Sequence, residues 1–260
     1  MTMAKIFITG SADGLGSMAA RLLIEQGHEV TLHARNADRA QVASRSAPGA
    51  SGVVIGDVAT LAGMRDVASQ ANASGRFDAV IHNVAIGYRE PRRVVTADGF
   101  ERLFAINVLA PYVLTASMTR PSRLVYLSSG MHHGGDRDLS DVNWERRRWS
   151  GSDAYATSKL LDTVLAFAIA RRWPDVLSNS VEPGWVATKM GGAGAPDDLE
   201  AAPITQAWLA TSTQAAALVS GHHFYHQRER RVDPRAHDIA LQDGLVARCA
   251  QLTSVRLLTT

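Results

Sequence analysis

Cysteine is nearly absent: the single Cys249 cannot form an intramolecular disulfide, so the 260-residue chain must be held by its core. Long apolar runs are absent too, none approaching the roughly 18 residues that cross a bilayer, which argues against membrane insertion. The first strand-like segment begins at Ala4 and leaves no room for a signal peptide, so the expected location is cytoplasmic, with thiols kept reduced. An excess of one charge sign is also missing, with 27 Lys and Arg against 25 Asp and Glu. The local basic clusters, Arg146 to Arg148 and Arg228, Arg230 and Arg231, lack the interleaved aromatics and motif context of a nucleic-acid site and read as solvated surface. There are no internal repeats and no long linker. The expectation is therefore one domain over 1–260, with a core supplied by a 46% hydrophobic composition.

What is present is alternation. Ala4 to Thr9 reads as a strand, Gly10-Ser11-Ala12-Asp13-Gly14-Leu15-Gly16 as a glycine turn, and the segment through Ile24 as an amphipathic helix. Glycines let backbone approach a pyrophosphate, and the following helix N-terminus offers free N–H groups and partial positive charge. Further strands are expected at Glu29 to Ala34, Gly52 to Gly56, Phe77 to His82, Leu124 to Leu127, Val176 to Val181 and Gly221 to His226. Helices are expected at Asn36 to Ser46, Thr60 to Ser74, Phe100 to Met118, Asp153 to Arg172, Ile204 to Ala210 and Ile239 to Leu252, with Ser152 or Asp153 capping the long one. Short apolar strands alternating with helices predict an α/β fold: a doubly wound parallel sheet of Rossmann type with about seven strands. Ligands of such sheets bind beyond the carboxyl ends of the strands, where Gly10 to Gly16, Asp57-Val58, Asn83-Val84-Ala85 and Ser129 fall. The second strand ends in Arg35-Asn36, with no acid before Asp38. A ribose-binding acid is thus missing where NAD(H) would want one, and an arginine stands ready for a 2′-phosphate, which favours NADP(H) over NAD(H).

Tyr155 and Lys159 are four residues apart at the start of the long helix and share one face. At about 4 Å and an effective dielectric of 20, an ammonium stabilises a phenolate by roughly 4 kcal/mol, enough to bring a phenol from near 10 towards neutrality. Such a pair suits general acid/base work.

With these residues in order, the chain resembles the short-chain dehydrogenase/reductase family in its single-domain form. The motifs are Thr9-Gly10-x-x-x-Gly14-x-Gly16, Asp57, Asn83, Asn107, Ser129, Tyr155-x-x-x-Lys159 and Pro183-Gly184-x-Val186-x-Thr188. The resemblance implies a catalytic set of Asn107, Ser129, Tyr155 and Lys159, with the nicotinamide held near Pro183 to Thr188. It implies that Ser129, rather than its neighbour Ser128, is the catalytic serine, that Lys159 grips the nicotinamide ribose, and that Asn107 supports a proton path to bulk. It also implies a homodimer or homotetramer built through helices 100–118 and 153–172. Ser129 and Tyr155 are 26 residues apart, and together with Ser128, His132 and Gly134 this longer loop resembles the retinol dehydrogenase-like branch. Bulky apolar carbonyl substrates follow from that. A stretch rich in Gly, Ala and Pro predicts a substrate lid over about 184–212, and a C-terminal segment follows over about 220–260. The family's Asn-Asn-Ala-Gly stretch is His82-Asn83-Val84-Ala85 here.

The expected activity is NADP(H)-dependent interconversion of a carbonyl and its alcohol. The alternatives are an epimerase or dehydratase reusing the Tyr/Lys pair, or a non-catalytic NADP-binding regulator. Those enzymes usually carry a larger carboxyl-terminal domain, and such regulators usually lose the tyrosine or lysine. His222 and His226 could share a metal only on a helix, and the Phe224-Tyr225 between them reads as strand, so no metal is expected.

Overall fold

A computed structural model of the chain describes residues 2–258; residues 259 and 260 of the expected C-terminal segment lie outside that range. One sheet runs through the molecule in the order β3-β2-β1-β4-β5-β6-β7-β8. Its strands are β1 (Lys5–Ile8), β2 (Glu29–Ala34), β3 (Gly52–Ile55), β4 (Ala79–His82), β5 (Arg123–Leu127), β6 (Leu177–Val181), β7 (His223–Tyr225) and β8 (Arg228–Glu229). The first seven pair in parallel. The eighth, one more than expected, returns antiparallel on β7 through His226 and Gln227, both at positive φ. That two-residue hairpin carries none of the Asn-Gly or Asp-Gly signal that usually announces such a turn.

Helices cover both faces of the sheet: α1 (Gly14–Glu25), α2 (Ala37–Ser46) and α7 (Ile204–Thr211) on one, and α3 (Leu61–Ala73), α5 (Ala110–Ser117), α6 (Gly151–Arg172) and α8 (Ile239–Thr253) on the other. The central strands are therefore buried on both sides, which accounts for their unbroken apolar character. β1 lies between β2 and β4, so the direction of winding reverses there and a crevice opens beyond the strand ends.

Two local expectations are corrected. The helix expected over 100–118 is broken into α4 (Arg102–Phe104), a π-helical turn (Ala105–Leu109) and α5. Pro111 has no N–H to give the carbonyl of Asn107 four residues earlier, and the wider turn accommodates that loss. The cap of α6 is Ser150, whose Oγ accepts from Asp153 N, rather than Ser152 or Asp153. Residues Ala154 to Ile169 are all buried within the single chain, because α8 lies along α6 and extends the core over it through Leu241, Leu245 and Cys249.

Between Pro183 and Pro203 the chain leaves the sheet and crosses its carboxyl edge, held by a bridge between Val186 and Asp197. Gly184 turns into this segment at φ +92, in close contact with Asp197. No helix among the described residues is long and apolar enough to cross a membrane.

Candidate active site

The glycine turn is built by sterics. Gly10 has φ +64, and a Cβ there would lie 2.9 Å from Val84 Cα; a Cβ on Gly16 would lie 2.4 Å from Asn83 Nδ2. Asn83 Nδ2 donates to the carbonyls of Thr9 and Gly10, tying the end of β4 to the end of β1. Ser11 is wholly buried, its hydroxyl donating to Ile8 O and accepting from His33 N, so it braces the turn from beneath. His33, whose role sequence reading missed, is a second brace. Its Nδ1 accepts from Gly10 N and its Nε2 meets Gly56 O, which places the proton on Nε2.

Gly14 sits at φ +55 with open space where a side chain would be. Asp13 occupies the N-cap of α1 without bonding the helix N–H groups, because its carboxylate lies 2.7 Å from both Arg39 and Lys189. Burial raises the pKa of Asp13, but hydrogen bonds from Lys189 and Arg39 outweigh it and hold the carboxyl below its usual value. The helix N-terminus is thereby left free beside two cations. This cradle fits the pyrophosphate of a dinucleotide. Arg35 is exposed at the end of β2, and Asn36 caps α2 by accepting from Arg39 N. Asp57 is exposed at the end of β3, accepting from Ala59 N, while Val58 beside it is buried.

A cavity of about 930 Å³ joins this cradle to Tyr155 and Lys159; of the two serines it is lined by Ser128, not by the expected Ser129. Gly10, Asp13, Gly14, Leu15, Asn83, Val84, Ala85, Tyr155, Lys159, Pro183 and Thr188 all line it. Arg35, Asn36, Asp57 and Val58 do not, nor do Ser11, Gly16, Gly184 and Val186, which shape its walls from behind or lie beyond it. Asn107 is fully buried and acts at one remove. Its Oδ1 accepts from Ile86 N, and its Nδ2 donates to Ile86 O and Ser158 Oγ, pinning the loop after β4.

The two serines differ in their surroundings. Ser128 is buried, its hydroxyl bonded to Lys159 O and Thr163 Oγ1. Ser129 is partly open, accepts from Met131 N, and its hydroxyl acts on the Tyr155 phenol to favour ionisation. Burial acts the other way and prevails, pushing Tyr155 up to about 12. This corrects the expected pull towards neutrality, because burial of the phenol outweighs any charge beside it. Lys159 Nζ stands 6.0 Å from the phenol ring centroid and donates to Leu127 O. Burial also pulls Lys159 below its usual value, opposed by Asp162.

On its open side Tyr155 meets apolar groups. Its hydroxyl reaches Met190 Sδ at 3.8 Å, its ring is edge-on to Tyr88, and Ile86, Met131, Trp144 and Trp149 complete the cluster. The long loop before α6 supplies the two tryptophans, ordered by Arg147 over Trp144 and by Trp149 Nε1 donating to Glu90 O.

A glycine turn at a helix N-terminus, set at the switch point of a parallel sheet and facing a buried Tyr/Lys pair, defines a doubly wound α/β protein of the dinucleotide-binding type. The family model described as Enoyl-(Acyl carrier protein) reductase, a short-chain dehydrogenase family, matches residues 10–220. The chain is 42% identical to an uncharacterized oxidoreductase of Emericella nidulans, over 97% of this chain and 98% of the relative. It is 27% identical to human retinol dehydrogenase 13, over 96% and 84%. A crystal structure of a protein from Mycobacterium paratuberculosis superposes with a TM-score of 0.84 at 26% identity, covering 98% of this chain and 95% of that one. The chain belongs to the short-chain dehydrogenase/reductase family, whose members are oxidoreductases that bind a nicotinamide cofactor.

Proposed function

We propose that the protein interconverts a bulky, apolar carbonyl compound and its alcohol, using NADP(H) in preference to NAD(H). The carrying observation is that Tyr155 and Lys159 line the same cavity as the glycine cradle together with the apolar Ile86, Tyr88 and Met190, while Met131 and Trp149 pack against the cluster that contains Tyr155. The cofactor supplies or accepts the hydride when bound. Gly10, Gly14 and the N-terminus of α1 would hold its pyrophosphate, and Arg35 the 2′-phosphate, with Asp57 and Val58 beside the adenosine. Pro183 to Thr188 would hold the nicotinamide end.

Tyr155 holds its proton at neutral pH because its phenol is buried, which suits donation to a carbonyl oxygen in the reductive direction. Ser129 orients that oxygen, and Lys159 places positive charge beside it. Asn107 supports the arrangement by fixing Ile86 next to the phenol. The segment over 184–203 acts as the lid, with Met190 over the tyrosine hydroxyl, whereas Ile204–Thr211 of the expected lid is the helix α7 packed on the sheet.

The test is a depletion assay of NADPH against NADH with aromatic, aliphatic and retinoid-like aldehydes and ketones. Tyr155→Phe should lower turnover by about a thousand-fold while leaving NADPH binding intact. Retained turnover in that variant would end the assignment. Arg35→Ala should raise the KM for NADPH about tenfold and leave that for NADH unchanged; a clear preference for NADH in the parent chain would remove the role given to Arg35.

A further inference from the structure

Asp162 stands three residues after Lys159 on α6, and the two side chains are 2% and 4% exposed. Nζ lies 3.7 Å from Oδ2, beyond hydrogen-bond reach but within an ion pair. The other oxygen, Oδ1, is buried and has no hydrogen-bond partner among the described residues. A carboxylate so placed contributes little to packing. Its neighbours Leu160, Leu161, Val164 and Leu165 are all buried and apolar, and a leucine would cost no desolvation. Its partner, however, lines the cavity of the proposed reaction.

The groups around the pair are few. Tyr155 shares its helix. From β5 come the Leu127 carbonyl, which takes one N–H of Lys159, and the Tyr126 phenol, which is bonded to Thr115; His82 of β4 lies behind that phenol and is bonded to the same threonine. His132 and His133 on the turn after β5, His237 on the turn before α8, and Cys249 of α8 also come from elements packed on α6. Of these, Tyr155 and Tyr126 feel the negative charge of Asp162, which disfavours both phenolates, and Lys159 is the group whose charge lowers the pKa of Asp162.

We propose that Asp162 is a positioning residue for Lys159: its buried carboxylate keeps the lysine an ammonium and holds that charge between β5 and Tyr155, where it serves the cofactor site. A lysine shut away from water tends to lose its proton, and an adjacent carboxylate opposes that loss; burial pushes Asp162 itself up to about 7, opposed by Lys159, so the pair carries both charges above that pH. The same negative charge disfavours the Tyr155 phenolate. Both effects maintain a protonated phenol beside an ammonium, the state that donates a proton to a carbonyl. The kinetic part of this inference rests on the carbonyl/alcohol reading; the charge-holding part does not.

Two measurements separate them. The chain has three lysines, Lys5, Lys159 and Lys189, so in a K5R/K189R background labelled with ¹³Cε-lysine, one resonance reports Lys159 directly. Asp162→Asn, which keeps the shape and removes the charge, should lower its titration midpoint by about one pH unit or more, and Asp162→Glu should restore it. A purely structural aspartate would give the opposite ranking, with Asn tolerated and Glu harmful. In the NADPH-dependent reduction, the basic limb of kcat/KM should move to lower pH by a similar amount in Asp162→Asn and return in Asp162→Glu. An unchanged lysine midpoint in Asp162→Asn overturns the proposal. If the parent chain reduces no carbonyl, the catalytic reading fails while the lysine titration still decides the role of Asp162. If Asp162→Asn does not fold, the K159M/D162N variant, lacking both charges, decides: restored folding supports the pairing and continued failure overturns it.

Discussion

Acidification from pH 7 to pH 5 should weaken the fold through a histidine far from any surface. His82 ends β4 with 3% exposure, where the family motif has asparagine. Its Nε2 lies 3.0 Å from Thr115 Oγ1, which in turn meets the Tyr126 hydroxyl at 2.8 Å. Nδ1 has no partner. A bare lone pair is cheaper to bury than an unpaired N–H, so the proton sits on Nε2 and the ring is neutral. Burial lowers the pKa of His82 from 6.5 to about 3. The folded-state value is depressed, so this histidine's contribution is fully present above 6.5 and is lost as pH falls towards 3. At pH 5 the unfolded ring is protonated and the folded one is not; the gap of about 1.5 pH units below 6.5, at about 1.4 kcal/mol per unit, amounts to about 2 kcal/mol. Other buried groups titrate in the same range, Asp162 in the opposite sense, so the readout is a difference. Urea unfolding followed by tryptophan fluorescence at pH 7 and pH 5 should show the parent chain losing about 2 kcal/mol more than His82→Asn. Equal losses in the two chains would refute both the neutral assignment and the depressed pKa.

Three further outcomes are expected. Ser129→Ala should abolish most turnover, whereas Ser128→Ala should keep it and cost about 1 kcal/mol of stability through its lost bonds to Thr163 and Lys159 O; paired kinetics and melts separate the two. Gly16→Ala puts a methyl 2.4 Å from Asn83 Nδ2 and 2.5 Å from Gly10 O, and should destabilise by roughly 1–3 kcal/mol and weaken NADPH binding, measured by calorimetry. The chain should sediment as a monomer at micromolar concentration, or assemble through a surface other than α6, because α8 covers that helix; a dimer whose hydrogen-exchange protection maps to α6 would contradict this.

The glycine cradle was legible because its requirement is local: a chain that turns at positive φ between a strand and a helix needs glycine at Gly10 and Gly14, whatever lies elsewhere. The parallel sheet followed from period and apolar run length, and the Tyr155/Lys159 face from helical spacing. Sequence could separate Ser129 from Ser128 only by resemblance, since they differ in which α6 residues their hydroxyls act on, Lys159 and Thr163 for Ser128 and Tyr155 for Ser129. The roles of His33, Met190 and Asp162 were out of reach for the same reason, each depending on a neighbour from another element or on burial. Asp162 did leave a trace, one acid in an apolar helical run three residues past the lysine. What only the tertiary structure decided is the electrostatics. A charge pair estimated at helical spacing points the tyrosine pKa downward, whereas removal of the phenol from water, which no local pattern encodes, carries it to about 12. The sequence by itself therefore determined where a cofactor and a proton donor could stand, and the packed structure decided in which protonation state they wait.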